Sequence, residues 1–184
     1  MNNSNIPNKP NKSNRCVIDT NVMITANKAV KIYGDDDDIK NYPDLIINCI
    51  KRLQKITKNH TYVVFDEDEE IFNEYSNYLD FSGQPGVGDK FFKWFHDNRY
   101  KYADTKVKLH KTDTGYIEFP IEMEVSNVDP SDKKFFAVSN GHPHKPNILQ
   151  AVDAKWWNWF EAAKKCGIHI DFIDKQYMLD HNNT

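Results

Sequence analysis

Two short apolar runs that each stop at an aspartate constrain this chain more than any other feature. Cys16-Val17-Ile18 ends at Asp19, and Asn147-Ile148-Leu149-Gln150-Ala151-Val152 ends at Asp153. Short runs of this kind, β-branched and without polar alternation, read as strands buried on both faces, as in a parallel sheet covered by helices. In such open sheets ligands collect at the carboxyl ends of the strands, so both aspartates would face one crevice. Taken alone, Asp19 and Thr20 read equally well as the cap of a following helix.

The segments between the two runs alternate as an α/β chain requires. Over residues 43–58, Leu45, Ile46, Cys49, Ile50, Leu53 and Ile56 recur at helical spacing. Thr61-Tyr62-Val63-Val64-Phe65-Asp66 reads as a second strand that also closes on an acid. A helix over residues 69–79 carries Ile71, Phe72, Tyr75, Tyr78 and Leu79 on one side. Glu74 falls about 40° beyond Tyr78, at the rim of that stripe. Residues 83–89 form a Gly/Pro loop too irregular for a nucleotide-phosphate cradle, with Phe91, Phe92, Trp94 and Phe95 on the helix after it. Val107-Lys108-Leu109 and Tyr116-Ile117-Glu118-Phe119 alternate around the turn 112–115, a β-hairpin pattern. Asp129-Pro130 reads as N-cap and first helical residue, which sets Asp132 on the face of Phe135, Phe136 and Ser139. An acid between two phenylalanines is costly to desolvate unless a cation meets it. Trp156, Trp157, Phe160 and Ala163 give a helix stopped at Gly167, and residues 168–173 read as a last strand.

Composition narrows the possible roles. A chain of 184 residues with 39% hydrophobic content builds one core, and a net charge of −3 excludes a general polycation that would coat nucleic acid. Basic character is local: Lys90, Lys93, Arg99, Lys101, Lys106, Lys108 and Lys111 outnumber Asp89, Asp97 and Asp104 by four charges. Cys16, Cys49 and Cys166 form no CxxC or Cys/His cluster and read as reduced core residues, while His142 and His144 give only a weak metal signal. Residues 1–14 are expected to be a disordered tail and 179–184 a frayed end, around one domain over 15–178. No run is long and apolar enough for a membrane span, so a cytoplasmic protein with no membrane partner is expected.

Asp19, Glu74, Asp132 and Asp153 would converge on one crevice in a doubly wound fold, and four such carboxylates repel one another unless a cation neutralises them. An oxygen-only set suits Mg²⁺ or Mn²⁺. In this order, Val17-Ile18-Asp19-Thr20-Asn21, Ile71-Phe72-Asn73-Glu74-Tyr75, Asp132-Lys133-Lys134-Phe135-Phe136-Ala137 and Val152-Asp153-Ala154-Lys155-Trp156-Trp157 resemble the motifs of the PIN-domain nucleases. The resemblance spans about Arg15 to Ile173, and the ordered set of four is its specific part. It implies a three-layer α/β/α sandwich with a central parallel sheet, here with a small β-hairpin insertion. It further implies a metal-dependent endoribonuclease in which Asp19, Glu74, Asp132 and Asp153 hold Mg²⁺ or Mn²⁺, Thr20 or Asn21 helps, and the products carry 5′-phosphate and 3′-hydroxyl ends. Its partners would be single-stranded or structured RNA, with a homo-oligomer and a protein inhibitor left open. Asp66 and Asp129 rival Glu74 and Asp132 for their places. A silent scaffold binding nucleic acid or protein, and a nuclease acting on DNA, are the alternatives. An aspartyl phosphatase would want an acid where Asn21 stands.

Overall fold

The computed structural model describes residues 14–30 and 42–182. Its elements run β1 (Arg15–Ile18), α1 (Thr20–Asn27), α2 (Pro43–Lys58), β2 (Tyr62–Val63), β3 (Phe65–Asp66), α3 (Glu70–Tyr78), α4 (Val87–Asn98), β4 (Lys106–Val107), β5 (Lys111–Thr112), β6 (Gly115–Tyr116), α5 (Lys133–Gly141), β7 (Asn147–Gln150), α6 (Lys155–Lys165), β8 (Ile170–Phe172) and α7 (Lys175–His181). The expected tail lies, apart from Asn14, outside the described residues, as does the acidic run Asp35–Asp38.

The fold is α/β around a parallel sheet of four strands ordered β2-β1-β7-β8. Cys16 pairs with Val63 on one side and with Asn147 on the other; Ile18 faces Leu149, and Gln150 faces Phe172. From β1 the chain goes to β2 on one side and returns on the other as β7, so the order reverses at the carboxyl ends of β1 and β7. Such a switch point opens a crevice between connections that leave in opposite directions.

Burial accounts for the helices. α2 turns Leu45, Cys49, Leu53 and Ile56 inward and puts polar residues opposite. α1 is buried at Thr20, Val22, Met23, Thr25, Ala26 and Asn27, and packs against α2 and α4. The approach of α4 is what the glycines of the 83–89 loop serve: a Cβ on Gly86 would strike the Asn27 side chain, and one on Gly88 the Met23 carbonyl. Asn27 Oδ1 accepts the Asp89 N–H at 3.1 Å across this contact. Trp156 stacks on Phe136 with centroids 4.7 Å apart, joining α6 to α5 in the core.

Four expectations are corrected. Residues 61–66 divide at Val64, because β3 leaves the main sheet to pair with β4 in parallel, Phe65 facing Lys106. That pairing consumes residues 106–107, so the hairpin is shorter than its alternation suggested, with Lys111 facing Tyr116 and Thr112 facing Gly115. α5 begins at Lys133, not after Asp129, since the Asp129 carbonyl closes a turn by accepting the N–H groups of Asp132 (2.9 Å) and Lys133 (3.2 Å). The chain beyond Met178 continues α7 as far as His181, held by buried Tyr177 and Met178 and by the Asp174 carboxylate, which accepts the Tyr177 N–H at 3.0 Å.

Cys16 and Cys49 are buried free thiols that burial pushes up to about 12, whereas Cys166 is only half-buried. No helix among the described residues is long and apolar enough to cross a membrane.

Candidate functional site

Asp19 is the residue at which β1 becomes α1. Its backbone N–H continues the sheet by donating to the Leu149 carbonyl at 3.0 Å, and its carboxylate caps α1 by accepting the Asn21 N–H at 2.9 Å. The cap and the strand-end placement therefore coexist. Asp19 is 2% exposed, and its pKa stands well above the usual carboxylate range, chiefly from burial and then from Asp132, with Glu74 and Asp153 adding to it.

Asp132 is the N-cap residue of α5 but makes no capping hydrogen bond, which leaves its carboxylate turned to other business. Burial, then Asp153 and Asp129, push it up to about 7, while Lys134 pulls the other way. Asp153 lies three residues beyond β7 rather than at its end, and accepts the Lys155 N–H at 3.1 Å as α6 begins. Its pKa is raised by burial and by Asp129. Glu74 reaches the same place from α3: the Thr20 hydroxyl donates to its Oε1, and Lys134 Nζ lies 2.5 Å from its Oε2. The neighbouring Tyr75, fully buried, donates its hydroxyl to the Ile18 carbonyl and so fixes α3 against the end of β1.

The pKa of Asp19 is raised in part by Asp132, Glu74 and Asp153, and that of Asp132 in part by Asp153 and Glu74, so the four sequence candidates lie near one another although they come from segments up to 134 residues apart (Asp19 to Asp153). Thr20 joins them through its hydroxyl; Asn21 joins through its backbone N–H. The two rivals part company. Asp66 accepts the Glu70 N–H at 2.7 Å and the Ile71 N–H at 2.9 Å, a carboxylate wholly engaged at the start of α3. Asp129 stays at the rim of the cluster, where its Oδ2 lies 2.8 Å from Lys155 Nζ.

Lys134 and Lys155 are the site residues that sequence reasoning missed. The available signal was the cost of desolvating Asp132, which called for a cation without saying which one. Asp19, Glu74 and Asp153 are each held by a local donor, and among the described residues no three His, Cys, Asp or Glu side chains are gathered into a set ready to ligate one ion. Both histidine candidates fall outside the cluster. His142 Nε2 bonds to the Asp104 carbonyl at 2.9 Å, and its Nδ1 accepts the His144 N–H at 3.1 Å, so that ring is fully committed.

The basic segment disperses into local pairs. Lys93 meets Asp97 at 3.3 Å, Arg99 meets Glu69 at 3.4 Å, Lys111 meets Glu70 at 3.0 Å, and Lys106 stands over the Tyr100 ring. The 83–89 loop is likewise closed from within, since Asp89 accepts the N–H groups of Gly86 and Asp80, both at 3.0 Å.

Comparison of the chain with protein-family models, with curated proteins and with solved structures finds no match.

Proposed function

We propose that this chain is a metal-dependent endoribonuclease of the PIN type, a three-layer α/β/α sandwich whose site is the carboxylate cluster at the β1/β7 switch point. The observation that carries the reading is the convergence of Asp19, Glu74, Asp132 and Asp153, two of them at strand-to-helix passages of adjacent parallel strands, with the pKa of Asp19 pushed up in part by the other three and that of Asp132 in part by Asp153 and Glu74. Carboxylates so placed have an unmet demand for positive charge, and oxygen-only donors fit Mg²⁺ or Mn²⁺. When bound, such an ion supplies activation of a water and neutralisation of charge on the phosphoryl oxygens.

The chain's own residues provide the rest. Asp19 and Asp153 would hold the ion from beyond the ends of β1 and β7, Asp132 from the start of α5 and Glu74 from α3. The Thr20 hydroxyl orients Glu74, and the Asn21 N–H keeps Asp19 in place. Burial of Asp19 and Asp132 lowers the local dielectric and strengthens every charge interaction with a bound phosphodiester. Hydrolysis would add water across the P–O3′ bond and give 5′-phosphate and 3′-hydroxyl ends. A 2′-hydroxyl takes no part in that bond change, so DNA is a real second substrate class. The scaffold reading draws on one observation, the occupation of Glu74 by Lys134.

The test is incubation of the purified chain with labelled single-stranded RNA and single-stranded DNA, in Mn²⁺ or Mg²⁺ and again in EDTA. RNA cleavage is expected only with the ion, and Asp19→Asn should lower it by about a thousandfold. Cleavage that persists in EDTA, or is untouched in Asp19→Asn, overturns the reading. RNA bound but never cut under any of these conditions selects the scaffold instead.

A further inference from the structure

Lysine is among the residues least often buried, yet Lys134 is 7% exposed, at the start of a helix whose following residues are core phenylalanines. Its ammonium donates to the Ser131 carbonyl, lies 2.5 Å from Glu74 Oε2 and stands 5.0 Å over the Phe135 ring. The adjacent Lys133 goes elsewhere: its ammonium meets the Thr114 carbonyl at 3.0 Å and Glu124 at 2.9 Å, tying α5 to the hairpin and to the segment that precedes the helix. Of two consecutive buried lysines, only the second serves the carboxylate cluster.

Both oxygens of Glu74 are already engaged. The Thr20 hydroxyl occupies one and the Lys134 ammonium the other. A hydroxyl can share a carboxylate with a cation, because it is neutral and can turn. An ammonium cannot remain on the same oxygen as a divalent ion without strong like-charge repulsion in a buried place.

We propose that Lys134 is the resident counter-ion of this cluster and that it competes with the divalent ion for Glu74: without metal the ammonium holds Glu74, and ion entry drives it off that oxygen. The inference rests on the metal-nuclease reading above and adds to it a residue that sets how tightly the ion is held. Removing the positive charge should therefore tighten metal binding, the opposite of what loss of a merely supporting residue does.

The test begins with calorimetric titration of the full chain with Mn²⁺. Lys134→Met should bind the ion roughly tenfold more tightly than the unmodified chain, and Lys134→Arg, which keeps the charge, should return the affinity toward the original. The second measurement needs no variant: brief acylation of the unmodified chain, read by mass spectrometry, with exposed Lys51 on α2 as internal reference. Lys134 should react slowly in EDTA and several-fold faster once Mg²⁺ is bound, while Lys51 is unchanged. Equal affinity in a folded Lys134→Met, or unchanged acylation of Lys134 in the ion-bound chain, overturns the inference and leaves the nuclease reading standing. Failure of every form to bind Mn²⁺ removes both.

Discussion

Asp66 and Asp19 are both buried, both close a short parallel strand, and both sit where a helix starts, but their carboxylates live in different surroundings. Asp66 gives each oxygen to a backbone amide of α3, at 2.7 and 2.9 Å. Asp89 does the same for Gly86 and Asp80. Asp19 receives one amide, from Asn21, and otherwise faces Asp132, Glu74 and Asp153. In the first pair the fold has spent the acid on its own backbone. In the cluster the backbone meets Asp19 and Asp153 with one amide each and caps nothing with Asp132, so carboxylate charge is left over in a way that it is not at Asp66 or Asp89.

The largest effect expected from this contrast is on stability. Asp66→Ala strands two buried N–H groups at the start of α3 and should cost roughly 2–4 kcal/mol. Asp19→Asn keeps an oxygen for the Asn21 N–H and removes a charge that its neighbours repel, so the metal-free chain should be as stable as before or more so. Urea unfolding in EDTA measures both. A loss on Asp19→Asn as large as that on Asp66→Ala would erase the distinction between the two acids.

Asp132 belongs to the second kind of acid, and pH exposes it. Its carboxyl is pushed up to about 7, against about 3.9 for an ordinary aspartate in the unfolded chain. Between those values the folded chain holds a proton that the unfolded chain has released. Its contribution is therefore fully present below about pH 4 and is lost as pH rises through 7. Metal-free stability should fall across that window by on the order of 2 kcal/mol, about half of what the full shift would give, because solvent screens this partly exposed group, and Asp132→Asn should flatten the profile. A flat profile in the unmodified chain would mean that Asp132 is neutralised otherwise. The measurement belongs in EDTA, because a bound ion would hold the carboxylate ionised and hide the effect.

How much of this contrast was legible beforehand depends on how local each cause is. The α2 helix follows from apolar spacing within its own residues, and its span is the one periodicity predicts. The strand-end position of Asp19 is equally local. The start of α5 was misplaced because Asp129-Pro130 carries the residue types of a helix start, while the chain uses the Asp129 carbonyl to close a turn first. The division of residues 61–66 at Val64 depends on a partner strand some 40 residues later, which no pattern in that run announces. Lys134 was hidden for the same reason: a lysine in sequence is by default a solvated one, and only the meeting of α3 with α5 buries it against Glu74.

The smallest effect tests whether the satisfied class extends beyond carboxylates. His142 is 4% exposed, with Nε2 on the Asp104 carbonyl and Nδ1 accepting the His144 N–H. One nitrogen donates and the other accepts, so only the neutral ring satisfies both bonds, and burial holds its pKa below the ordinary histidine value of about 6.5. The sign is the reverse of that for Asp132. Here the unfolded chain takes up the proton first, so the contribution is complete above about pH 6.5 and is lost as pH falls through the depressed folded value. Protonation of Nδ1 removes the bond from His144, worth about 1 kcal/mol. Comparing unfolding of the unmodified chain with His142→Gln between pH 7 and pH 5 isolates the term, since glutamine cannot titrate there. The two forms should converge in stability as pH falls. A constant gap would show that the ring stays neutral across the range or contributes through packing alone, and the division between groups spent on the fold and groups left for a ligand would then rest on the carboxylates.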